Sequence, residues 1–131
     1  MRTRLLQAEK ELQLDTTLQK KHAELVTLVS AATQQYRGMT YTTPRRLVAA
    51  LKSQQAAWVK YRDEECELLG SLTGAADQWQ SAHANRCGIN LTDLRLKSIQ
   101  SAQACILRIP EADRLGKQSE CLQQLAPLVN H

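Results

Sequence analysis

The stretch Ala57-Trp58-Val59-Lys60-Tyr61-Arg62-Asp63-Glu64-Glu65-Cys66 decides the fold, because an aromatic pair, a charge cluster and a cysteine share one helical segment. Trp58, Arg62, Cys66 and Leu69 recur at helical spacing, and Leu51 and Gln55 extend the same stripe backwards. One side of this segment therefore packs, and it carries the cysteine inward. Tyr61 and Glu65 lie on an adjacent strip, while Asp63, Glu64 and Glu67 place carboxylates within reach of arginines on a neighbouring element. Trp58 reads as a packing anchor of a core helix. Paired acids run glycosidase chemistry, but four carboxylates within about one helical turn read as a solvated face or as ion pairs.

Working outward, residues 5 to about 36 contain neither Gly nor Pro and place Leu14, Leu18, Leu25, Leu28, Val29, Ala32 and Tyr36 on one stripe. This predicts a long amphipathic helix ended by Gly38, with His22 as a hydrogen-bonded core or boundary residue. Residues 37–43 predict a turn. Thr43-Pro44 then opens a second helix, with Thr43 as its cap, that runs to Leu69 and stops at Gly70. Ser71 to Gly88 predicts a loop with a short helical turn around Ala75–Gln80. Asn90 or Thr92 caps a third helix to about Leu107, with Leu94 or Arg95, Ile99, Ala102, Ile106 and Ile109 on one side. Pro110 opens a fourth element that Gly116 interrupts, and Cys121, Leu122, Leu125 and Leu128 pack it back. The expected architecture is all-α, a small up-and-down bundle of three long helices plus a short C-terminal helical segment, in a single domain over residues 1–131.

The 131 residues carry a formal charge of +4, which raises nucleic acid or an anionic surface as partners. The excess is spread along the chain without a basic block, so no nucleic-acid groove is expected. The four cysteines, at 66, 87, 105 and 121, match no zinc spacing, and neither a metal nor a cofactor is expected. They read as disulfides of an oxidising compartment. Of three possible pairings, Cys66–Cys87 and Cys105–Cys121 each join the end of one predicted helix to the next segment in order. The first residues are basic but meet Glu9, Lys10 and Glu11 before any apolar core of a signal peptide, and no transmembrane run occurs. The chain is thus expected to be periplasmic or secreted, with an initiating Met in place of an export signal.

Trp58-x-x-Tyr61-Arg62-Asp63-x-x-Cys66, then Cys87 followed by Thr92-x-x-Arg95-x-x-x-Ile99, resembles the LprI-like lysozyme inhibitors of bacterial envelopes. Asp15-x-x-Leu18-Gln19-x-x-His22-x-x-Leu25 sits where that family has Asp-x-x-Leu-Asn-x-x-Tyr-x-x-Leu, with two of the five positions changed. The resemblance covers about residues 14–100, leaves 101–131 as a C-terminal extension, and lacks the family's additional early cysteine. It implies an exported, non-enzymatic, all-helical protein and, for some members, inhibition of lysozyme. The matched residues Trp58, Tyr61, Arg62, Asp63 and Arg95 read as scaffold, with Arg95 a buried or boundary partner of Asp63 or Glu64.

An inhibitor that blocks a peptidoglycan hydrolase needs donors or cations on a rigid protrusion, because the hydrolase cleft works through carboxylates. The 71–88 loop supplies the expected contacts Trp79, His83 and Arg86, with Arg37 and Tyr41 of the first turn next. Familiar animal lysozymes are strongly basic, so long-range steering opposes a partner at +4. This keeps a second reading open, a periplasmic adaptor or immunity-type protein that binds a bacterial protein, for example of a secretion system. An enzyme acting on peptidoglycan is disfavoured, since no nucleophile–base pair or metal set is legible.

Overall fold

The computed structural model describes the backbone of residues 2–34, 42–72 and 77–126, and the side chains of 9–32, 45–72 and 84–126. Within them lie α1 (Arg2–Gln34), α2 (Thr42–Leu72), α3 (Asp77–Leu107) and α4 (Arg114–Leu122), with short 3-10 turns at Glu111–Asp113 and Gln123–Leu125. No strand occurs among the described residues. The all-α architecture of three long helices and a short C-terminal one is therefore present.

Contacts at several heights fix the helix directions. Glu11 approaches Gly88 and His22 lies beside Arg95, so α1 and α3 ascend together. Cys66 bonds Cys87 while Gln55 bonds Arg95, so α2 descends between the same levels. α3 is the central element, packing along both α1 and α2 and carrying α4. The core it encloses contains Leu18, Leu25 and Val29 of α1, Leu51 of α2, and Leu96, Ile99, Ala102 and Ile106 of α3. Cys121, Leu122 and Leu125 close it from the C-terminal segment.

Both expected disulfides are formed, Cys66–Cys87 with its Cα atoms 5.4 Å apart and Cys105–Cys121 at 5.6 Å. The first joins α2 to α3, and the second fastens α4 onto α3.

Several expected boundaries are corrected, three of them at glycines. α2 begins at Thr42 and runs through Gly70 to Leu72, and Gly70 is buried where Leu69 is exposed. Residues 77–88, expected as loop with a short helical turn around Ala75–Gln80, are the first three turns of α3, so Asn90 and Thr92 are interior rather than capping. Gly116 lies within α4 and does not interrupt it. A helix-interior glycine costs roughly 1 kcal/mol relative to alanine, which neighbouring packing and a disulfide readily offset. Gly88 is favoured by a close approach: a Cβ there would stand 3.0 Å from the Glu11 carboxyl carbon. α3 ends at Leu107 as expected, and Pro110, which has no N–H to continue a ladder, opens the next turn, where the Asp113 N–H bonds back to its carbonyl at 2.8 Å. The expected residues Tyr36, Gly38 and Leu128 lie outside the described residues.

Candidate functional site

The motif residues converge on a polar spine running through the bundle, arranged as two layers around Trp58. In the first layer Arg62 is only 4% exposed, brought inward by the stripe that also buries Leu51, Gln55 and Cys66. Its guanidinium donates to both carboxylate oxygens of Asp15 on α1, to Oδ1 of Asp63 at 3.0 Å, and to Thr92 Oγ1 on α3 at 3.1 Å. One side chain thereby ties all three long helices together. Burial alone would lower the Arg62 pKa, but the hydrogen bonds with Asp15 and Asp63, aided by their charges, raise it above its ordinary value. Glu11 stands at the rim of this cluster. Its pKa is raised, chiefly by burial, with the Arg62 charge opposing and the Asp15 and Asp63 charges reinforcing.

The second layer is built on Arg95, 5% exposed. It donates from Nε to Gln55 Oε1 at 3.0 Å, from Nη1 to the Leu125 carbonyl at 2.9 Å, and from Nη2 to Gln54 Oε1. Gln54 Nε2 also donates to the Leu125 carbonyl, so the C-terminal segment is held by a three-residue clamp. No carboxylate joins these bonds. Burial lowers the Arg95 pKa to about 10, which leaves it charged at neutral pH. His22 is buried beside it, with its pKa lowered by burial and by the Arg95 charge, against a raising hydrogen bond with the Leu51 backbone. Among the described residues, His22 Nε2, Gln55 Nε2 and both amide atoms of Gln118 find no hydrogen-bond partner.

Trp58 connects the layers, with the Arg62 and Arg95 guanidinium carbons 5.5 and 5.6 Å from its ring centroid. Such cation–π contacts contribute roughly 0.5–2 kcal/mol each. Trp58 is partly buried and packs against the core cluster.

Two scaffold expectations need correction. Arg95 pairs with neither Asp63 nor Glu64: the carboxylate partners belong to Arg62, and Arg95 sits about a full helical turn further along, level with Gln54 and Gln55. Tyr61 is 55% exposed and lies outside the core, because it falls one residue off the buried stripe. Gln54 carried no sequence signal as a spine member; Gln55 stood in the packing stripe, and Asp15 and Thr92 stood in the resembled motifs without a partner being assigned to them.

Of the expected contact residues, only Arg86 has a described side chain. Arg86 is exposed on α3, next to Cys87. Trp79 and His83 fall within α3, but their side chains lie outside the described residues, as do Arg37 and Tyr41 entirely. Among the described residues no His, Cys, Asp and Glu cluster forms a metal set, and no helix is long and apolar enough to cross a membrane.

These features define a class: an all-helical protein whose signature residues fasten helices together, with two disulfides suited to an oxidising compartment. The family model described as Lysozyme inhibitor LprI matches residues 4–99. The chain belongs to the LprI lysozyme inhibitor family, an inhibitor rather than an enzyme family, and the match takes in all of α1 from Arg4 onward. No curated protein and no solved structure matches the chain.

Proposed function

We propose that this protein is an exported inhibitor that binds a peptidoglycan hydrolase of the lysozyme type and blocks it by occupying its surface, with no chemistry of its own. The family match over residues 4–99 carries the reading. The spine supports it physically: Arg62 and Arg95 have their donors committed to internal partners, which suits rigidity rather than turnover. A rigid binder loses little conformational entropy on docking. The two disulfides are consistent with action in the periplasm or outside the cell. The contact surface is a helical one, since the α2–α3 connection expected as a 71–88 loop is largely α3.

The test is inhibition of cell-wall lysis by several lysozymes, with the oxidised protein titrated in. Stoichiometric loss of lytic activity for at least one enzyme is expected. Unchanged activity for every enzyme, with both disulfides intact by mass, overturns the proposal.

A further inference from the structure

Among the described residues, four of the seven large exposed apolar side chains fall on the last twelve residues of α2: Tyr61 (55% exposed), Leu68 (55%), Leu69 (48%) and Leu72 (72%). The other three, Leu12, Leu94 and Leu107, are scattered singly over α1 and α3 and need no explanation. Tyr61, Leu68 and Leu72 are spaced seven and four residues apart, so they lie on one face, a strip about 16 Å long. Glu64 and Glu65 flank that strip between Tyr61 and Leu68, Glu67 lies further round, and all three are exposed. Arg62, the one cation of this segment, is buried, and exposed Lys60 lies just before it. The opposite face of the same turns is fixed by Arg62, by Cys66 bonded to Cys87, and by buried Gly70, so the strip is presented on a stapled support.

We infer that this acid-flanked apolar face of α2 is the docking surface for the hydrolase, and that it takes a partner surface of lysines and arginines around an apolar patch. The inference rests on the inhibitor reading and locates its contact. Charge complementarity selects the occupant. Phosphate-bearing ligands and anionic lipid surfaces are repelled by three glutamates, and a second copy docking face to face would set those glutamates against themselves. A basic protein meets a locally negative face on a chain whose overall charge is +4, so the long-range repulsion against a basic lysozyme is countered where contact is made.

The experiment uses the oxidised full chain and a basic animal lysozyme, reading binding by calorimetry and inhibition by lysis assay. Glu64→Lys/Glu65→Lys/Glu67→Lys and Leu68→Ser/Leu72→Ser each test the face. Glu111→Lys/Asp113→Lys/Glu120→Lys makes the same change in total charge at exposed positions near the C-terminus. Circular dichroism checks that all fold. The expected result is at least about tenfold weaker binding for both face variants, a smaller change for the control, and parallel loss of inhibition. Equal weakening by the face and control charge variants, with the leucine variant unchanged, overturns the assigned face while leaving the inhibitor reading intact. Binding without inhibition that is lost in the face variants supports the face and overturns the inhibitor reading. No binding and no inhibition by the native chain overturns both, and self-association abolished by Leu68→Ser/Leu72→Ser reassigns the face to a second copy and overturns the proposal.

Discussion

Arg62 and Arg95 lie over the same indole ring, that of Trp58, yet only Arg62 has carboxylates to neutralise it. Arg95 is compensated by carbonyl and amide oxygens alone. Two buried cations on one ring are held apart by it and stabilised through it, which makes Trp58 the element on which both polar layers depend.

Trp58→Ala removes packing against the core and both cation–π contacts at once, and is expected to cost about 3–5 kcal/mol. Trp58→Phe keeps an aromatic face and is expected to cost clearly less. Urea unfolding of the oxidised protein measures both. A cost below about 0.5 kcal/mol for the alanine variant, as at an ordinary surface site, would remove Trp58 from the centre of the spine.

His22 makes stability pH-dependent with a definite sign. Its folded pKa is lowered from 6.5, so between the lowered value and 6.5 the unfolded chain binds more protons than the folded one. The contribution is fully present above 6.5 and is lost as pH falls below it. Unfolding free energy measured at pH 7.5 and 5.5 is expected to drop on acidification, and the drop is expected to be smaller in His22→Gln. An equal drop in the variant would show that His22 does not carry it.

The apolar frame was legible from sequence because periodicity survives without knowledge of neighbours: Leu18, Leu25, Val29, Ile99 and Ile106 are where the stripes place them. The disulfide pairing was legible for a related reason, since each bond closes a short stretch between consecutive elements. The polar spine was not. Which carboxylate meets Arg62 depends on the relative heights of α1 and α2, set by packing across 47 residues of sequence, and local spacing holds no record of it. Burial likewise overrode the local signal at Gly70 and Gly88, so residues 77–88 of the expected loop are helix.

The C-terminal segment is fastened by two independent devices, the Cys105–Cys121 bond and the clamp of Arg95 and Gln54 on the Leu125 carbonyl. The disulfide spans 16 residues, and closing a loop of that size contributes about 3 kcal/mol in the chain-entropy model. Cys105→Ala/Cys121→Ala is expected to speed amide hydrogen exchange over residues 114–125 while leaving the slow amides of α1 and α3 within the remaining stability. Arg95→Leu in that background is expected to release residues 123–126 further. Unchanged exchange in both variants would mean that core contacts of Leu122 and Leu125 hold the segment alone.

Gly88 and Glu11 supply a coupled test of the α1–α3 contact. A Cβ at position 88 would overlap the Glu11 carboxylate, which is the mobile end of its side chain, so Gly88→Ala displaces that group rather than the helix. Moved toward water, Glu11 sheds the burial that raises its pKa, and the value is expected to fall back toward 4.5 in an NMR titration. Alanine favours a helix interior over glycine by roughly 0.5–1 kcal/mol, and in the native background the displacement opposes that gain. In a Glu11→Ala background the clash is absent, so adding Gly88→Ala is expected to stabilise by about that full amount. The same gain in both backgrounds would show that α1 and α3 do not approach one another at this pair.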